Sequence, residues 1–143
     1  MRLWDWRLIP FLPKKMLVSQ WRECIAIKRQ WEKGTLKHRL VSYVMDYNKA
    51  YFMKYVIKIT DELNNRNIKH NSKFLYEISD FCDDKLDIDV MFGRLDYPEH
   101  NDVYLRQCLY NLEEKAMRGL ISSEEWSKIY ERFRMFTDLW KGV

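Results

Sequence analysis

The sequence predicts an all-α fold, and three observations carry that reading. Glycine and proline are scarce, at 4 and 3 residues, too few for a turn-rich all-β chain. Apolar residues recur at three- to four-residue spacing through several long stretches, as they do on helices with one buried face. Residues suited to helix ends flank those stretches. At 143 residues the chain suits one domain, residues 1–143, built as a compact helical bundle with an N-terminal arm packed on its core.

Taken in order, residues 1–12 read as an extended arm. Leu3, Trp4, Trp6, Leu8, Ile9 and Phe11 alternate irregularly, and Pro10 and Pro13 punctuate the segment. So many large apolar groups near a terminus imply an end tied down on the core. Pro13 suits the first position of a helix that runs to about Lys33, buries Leu17, Trp21, Cys24, Ile25 and Trp31, and closes at Gly34. Residues 35–45 stay open between strand and irregular chain. A second helix runs from a cap at Asp46 or Asn48 to about Asn65, burying Phe52, Val56, Ile59 and Leu63. Residues 64–71 are polar and turn-like, a short helix spans Ser72 to Phe81, and residues 82–100 form an acidic connection. A further long helix begins near Asn101 or Asp102 and stops at Gly119, with Leu105, Cys108, Leu112 and Ala116 on one face. The last helix opens on a capping box, Ser122 with Glu125, and buries Trp126, Ile129, Phe133, Phe136 and Trp140.

Composition excludes several classes. No apolar run approaches the ~20 residues that span a bilayer, so no membrane partner is expected. Asp5 and Arg7 interrupt the start too early for a secretory signal, and a cytoplasmic protein is the expectation. Cys24, Cys82 and Cys108 are an odd, widely spaced set with no C-x-x-C, which reads as reduced core thiols. Charge is unevenly distributed: residues 1–71 carry 15 Lys/Arg against 6 Asp/Glu, and residues 72–143 carry 10 against 15. A basic end of this kind can lie on a phosphate backbone; a solvated lysine-rich surface is an equally good account of the charge alone.

The candidates for chemistry lie in the first half. On the first helix Arg22 and Glu23 are adjacent, about 100° apart around the axis, so Glu23 can face a site while Arg22 faces the rim. A plain surface salt-bridge helix explains the same pair. Lys28, Arg29, Lys33, Lys37 and Arg39 continue a basic strip with Trp21 and Trp31 interleaved, the composition of a phosphate-tracking surface; core packing accounts better for Trp21. His38 in this strip can donate to a phosphate or a base, and His100 suits a position just before a helix. Three histidines are too few and scattered for a metal site, and no cofactor is expected. Neither a Ser-His-Asp arrangement nor a Gly-rich phosphate loop is present.

Three stretches add a resemblance. The start Arg2–Trp4, leading through Leu8–Pro13 to the L-V-x-Q-W-R-E run Leu17–Glu23, resembles the pyrimidine-dimer DNA glycosylase family of endonuclease V type. It is most similar to the bacterial branch beginning M-R-L-W, as are Lys37–Val44 and His100–Leu112. The resemblance spans most of residues 1–126. It implies a monomeric glycosylase and abasic-site lyase acting on double-stranded damaged DNA, in which an N-terminal α-amine attacks the sugar and β-elimination cuts the strand. It implies Met1 as the nucleophile, Glu23 as the stabiliser of the sugar cation and proton-transfer group, and Arg2 and Arg22 as phosphate and lesion contacts. An α-amine titrates at about 7.7–8.0, far below a lysine, so a neutral fraction exists near neutrality. The family kinks DNA and flips a nucleotide out. This sequence departs from the phage enzyme in having Met1 in the nucleophile's register, Lys15 or Met16 in place of a histidine, and Ala26 in place of a basic residue, with Lys28 and Arg29 as substitutes. It also lacks an aromatic, basic tail. A DNA-binding module without catalysis accounts for the same basic half, and an interaction domain using residues 82–99 is a third reading.

Overall fold

The computed structural model describes residues 1–83 and 86–140, with only the backbone for residues 139 and 140. Six α-helices follow the arm: α1 (Lys14–Glu32), α2 (Lys49–Asn65), α3 (Ser72–Cys82), α4 (Ile88–Phe92), α5 (Asp102–Met117) and α6 (Ser123–Trp140). No strand occurs among the described residues. The expected burial of Trp140 lies outside the described side chains.

Local chemistry sets the helix ends. The side chains of Asn48, Asn71 and Asn101 accept from the main-chain amides of Ala50, Lys73 and Tyr104 at 2.8–3.0 Å, each satisfying a first-turn donor that the helix leaves without a partner. Ser122 and Glu125 form the reciprocal capping box, at 2.9 and 3.0 Å. Three long helices stop in one way. Gly34, Asn67 and Gly119 adopt positive φ (71°, 57° and 74°), and the next residue's amide reaches back five residues, as in Thr35 N to Gln30 O at 2.8 Å. That is the Schellman closure, which glycine tolerates without strain and asparagine nearly so.

One expectation is corrected. The arm is not extended throughout: Trp6–Phe11 form a 3-10 turn, because the Asp5 carboxylate caps the Arg7 amide at 3.0 Å and grips the Arg7 guanidinium. It is nevertheless part of the core, with Leu3, Trp4, Leu8, Ile9 and Leu12 buried. Arg66, at the end of α2, donates to the carbonyls of Leu12, Pro10 and Ile9 at 2.7–3.4 Å and fastens the arm's far end. Within the acidic connection Asp87 caps the short helix α4, and Val90 is buried. Residues 35–41 are irregular chain and lead into a 3-10 turn, Ser42–Asp46, with Leu36, Val41 and Val44 buried.

Helix α2 is the centre of the molecule, packed against α1, α3, α4 and the arm, while α6 lies on α5 and the arm. Phe52, Val56, Ile59 and Leu63 are fully buried on it, as the periodicity predicts. Cys24, Cys82 and Cys108 are buried free thiols. Burial pushes Cys82 up to about 12 and Cys108 to about 11, and raises Cys24 further.

Candidate active site

The arm crosses α1 at its middle, and one buried side chain fixes the crossing. Gln20 lies on the apolar face of α1, between Leu17, Trp21 and Cys24, and is wholly buried. Its Nε2 donates to the Arg2 carbonyl at 2.9 Å and to Glu23 Oε2 at 3.0 Å. Its Oε1 accepts from the Trp4 amide at 2.8 Å and from the Tyr55 hydroxyl at 3.1 Å. Tyr55 donates to the Trp4 carbonyl at 2.6 Å, and Tyr104 to that of Leu3. Residues 2–4 are therefore held by their backbones, whatever their side chains do.

Glu23 stands one turn beyond Gln20, half-buried, with the Arg2 main-chain amide on its carboxylate. Burial raises its pKa, and the nearby amino terminus, the Arg2 amide and guanidinium, and His38 oppose that rise. The chain terminus and the carboxylate open onto one cleft of about 330 Å³. Met1, Arg2, Trp4, Met16, Ser19 and Glu23 line its near side; Asn111, Lys115, Leu120 and Ile121 of α5 and the turn after it line the far side. The Arg2 guanidinium lies 5.1 Å from the Trp4 ring centroid. An amine and a carboxylate on one wall, with cations on both walls, are groups that can attract an anionic substrate and move protons at it.

The other sequence candidates divide. Arg22, Lys37, His38 and Arg39 are exposed, and His38 lies near enough to Glu23 to lower its pKa. Lys28 is instead buried: its ammonium bonds Glu32 at 3.1 Å and Glu77 at 3.4 Å and lies over the Phe81 ring. Arg29, though exposed, also binds Glu77, at 3.2 Å. These two cations tie α1 to α3 and do not line the cleft. Asn111 falls in the His100–Leu112 stretch that carries the resemblance, whereas nothing local marks Lys115, about ninety positions from Glu23, as its neighbour. Among the described residues, no three His, Cys, Asp or Glu side chains gather at metal-binding spacing. No described helix is long and apolar enough to cross a membrane.

The fold and site thus define a small helical protein whose own amino terminus shares a cleft with a half-buried carboxylate. A family model described as pyrimidine dimer DNA glycosylase matches residues 1–76, which takes in the arm, α1, α2 and the start of α3. The chain belongs to the pyrimidine dimer DNA glycosylase family, and at that level it is a DNA-repair glycosylase. No curated protein and no solved structure matches the chain.

Proposed function

We propose that the protein is a DNA glycosylase with abasic-site lyase activity on damaged pyrimidines, cyclobutane dimers foremost, and that it works through the α-amine of Met1. The carrying observation is the shared cleft: the terminus lies beside Glu23, whose carboxylate is bonded to the main chain of residue 2. The amine lone pair attacks C1′ of the damaged nucleotide, and the base departs with the electron pair of its glycosidic bond and takes up a proton. The nitrogen loses a proton and the sugar ring opens to give an imine. Loss of a C2′ proton then expels the 3′ phosphate, and water releases the enzyme. Glu23, as carboxylate, stabilises the cationic sugar and accepts and returns protons. Arg2 and Lys115 bracket the cleft and suit the phosphates flanking the lesion, while Arg22, Lys37, His38 and Arg39 offer an exposed track for the duplex. Arg29 is a peripheral member of that track, and Lys28 is not part of it.

The test is incubation of protein bearing a free, untagged terminus with duplex DNA carrying one abasic site, with and without borohydride. An adduct mapped to residue 1 and lost in Glu23→Gln supports the reading. Equal trapping by protein blocked at its terminus removes Met1 from its role. Duplex binding without adduct or strand cleavage favours a DNA-binding module on this scaffold.

A further inference from the structure

We propose that Gln20 is a positioning residue of this site, its amide holding the N-terminal segment and the Glu23 carboxylate in one register. The inference rests on the amine–carboxylate reading above and concerns how that pair is kept together.

A primary amide has two N–H donors and an oxygen with two lone pairs. In Gln20 both donors are used, on Arg2 O and Glu23 Oε2, and the oxygen accepts from Trp4 N and shares with the Trp4 carbonyl the single proton of the Tyr55 hydroxyl. The partners also dictate which way round the amide sits, since a main-chain N–H can only donate and a carbonyl can only accept. Packing alone does not call for this residue. Positions 17, 21 and 24 on the same face are Leu, Trp and Cys, and an apolar side chain at 20 would continue the stripe. What the amide adds is register between three groups of the site.

That register reaches the reacting nitrogen. The Arg2 carbonyl rests on Gln20, and the Arg2 amide lies close enough to Glu23 to oppose the rise in its pKa, so residue 2 is fixed beside the carboxylate. Since the peptide joining Met1 to Arg2 is planar, rotation about the Met1 Cα–C bond is the chief freedom left to the amine. Gln20 also takes Glu23 Oε2, which fixes the rotation of the carboxylate beside the terminus. Small displacements of a positioned nucleophile are costly in rate. The charged or titratable groups around the carboxylate are the terminus and Arg2 from the arm, His38 from the following loop and Lys115 across the cleft.

The experiment compares wild type, Gln20→Glu and Gln20→Met in single-turnover borohydride trapping on abasic duplex DNA across pH. Affinity is measured separately on duplex carrying an unreactive tetrahydrofuran abasic analogue, and circular dichroism reports folding. In Gln20→Glu a second carboxyl faces Glu23, the two hold a proton in common, and the acid limb of the rate profile rises by about one pH unit or more. In Gln20→Met the plateau rate falls about tenfold or more while affinity for the analogue is kept. If one variant does not fold, the other still gives its own readout. Unchanged rate and acid limb overturn the proposal, as do parallel losses of rate and affinity. Failure of both variants to fold assigns the amide to the fold alone and overturns it too. An absence of adduct in wild type instead removes the amine–carboxylate reading on which the proposal rests.

Discussion

The main-chain amide of Trp6 donates to Nδ1 of His100 at 3.2 Å, joining the arm to the residue just ahead of the α5 cap. The ring's other nitrogen, Nε2, meets the Tyr43 hydroxyl at 2.8 Å. Because Nδ1 accepts, the neutral ring carries its proton on Nε2. His100 sits amid Tyr43, Tyr55, Tyr97 and Tyr104, with ring centroids 5.2–6.1 Å away.

This buried ring should make the fold sensitive to mild acid. Desolvation pushes its pKa down to about 4 from an ordinary 6.5. Below pH 6.5 the unfolded chain therefore binds a proton that the native ring refuses. The contribution is whole above 6.5 and is lost as pH falls toward 4, on the order of 3 kcal/mol at most. Thermal melts at pH 7.5 and 5 should show a smaller drop for His100→Gln than for wild type. An identical drop would remove His100 as the cause.

Glu23→Gln should slow base release and adduct formation by ~10²–10⁴-fold, the usual worth of a general acid/base. Duplex affinity should hold or increase, because a carboxylate near phosphates has been neutralised. Single-turnover rates beside an equilibrium binding curve separate the two effects; a rate within a few-fold of wild type would deny Glu23 its role.

Salt dependence should sort the cations. Arg22→Gln and Arg39→Gln should each reduce the log–log salt slope of duplex binding by about 1. Lys28→Met should leave it unchanged, because that ammonium is committed to Glu32 and Glu77. A reduced slope for Lys28→Met would mean that the ion pair opens on DNA.

Tyr55→Phe removes the hydroxyl that serves Trp4 O and Gln20 Oε1. Gln20 Oε1 keeps the Trp4 amide, but leaving the Trp4 carbonyl without its donor costs ~1–3 kcal/mol, which should lower the Tm by several degrees. Adduct formation should slow as well, since the same bonds hold the arm across α1. A stable variant with wild-type rate would show the arm to be held adequately by its apolar side chains.

What could be read from the sequence was local. Asn48, Asn101, Ser122, Gly34 and Gly119 mark helix ends because capping acts over a few residues, and the structure places the ends there to within a residue or two. Apolar spacing likewise selected the buried face of α2. Lys28 misled for the opposite reason: Glu77, which holds it, lies 49 positions away, and composition cannot foresee such a pairing. A usable signal was nevertheless present. Gln20 and Lys28 occupy the buried face of α1 alongside Leu17, Trp21, Cys24 and Ile27, and a polar residue in an apolar stripe needs a partner elsewhere in the fold. The distant wall of the cleft, Asn111 and Lys115, had no such mark.

The three thiols have a practical consequence. Each is enclosed by the core and held well above neutrality, so scarcely any thiolate is available to an alkylating or oxidising reagent. A cysteine introduced on the exposed basic face, at Lys37 for example, would be the preferred attachment point for a maleimide dye. The native protein thus serves as its own near-silent background for fluorescence recordings of DNA encounter, with no need to strip Cys24 from its place beside Glu23.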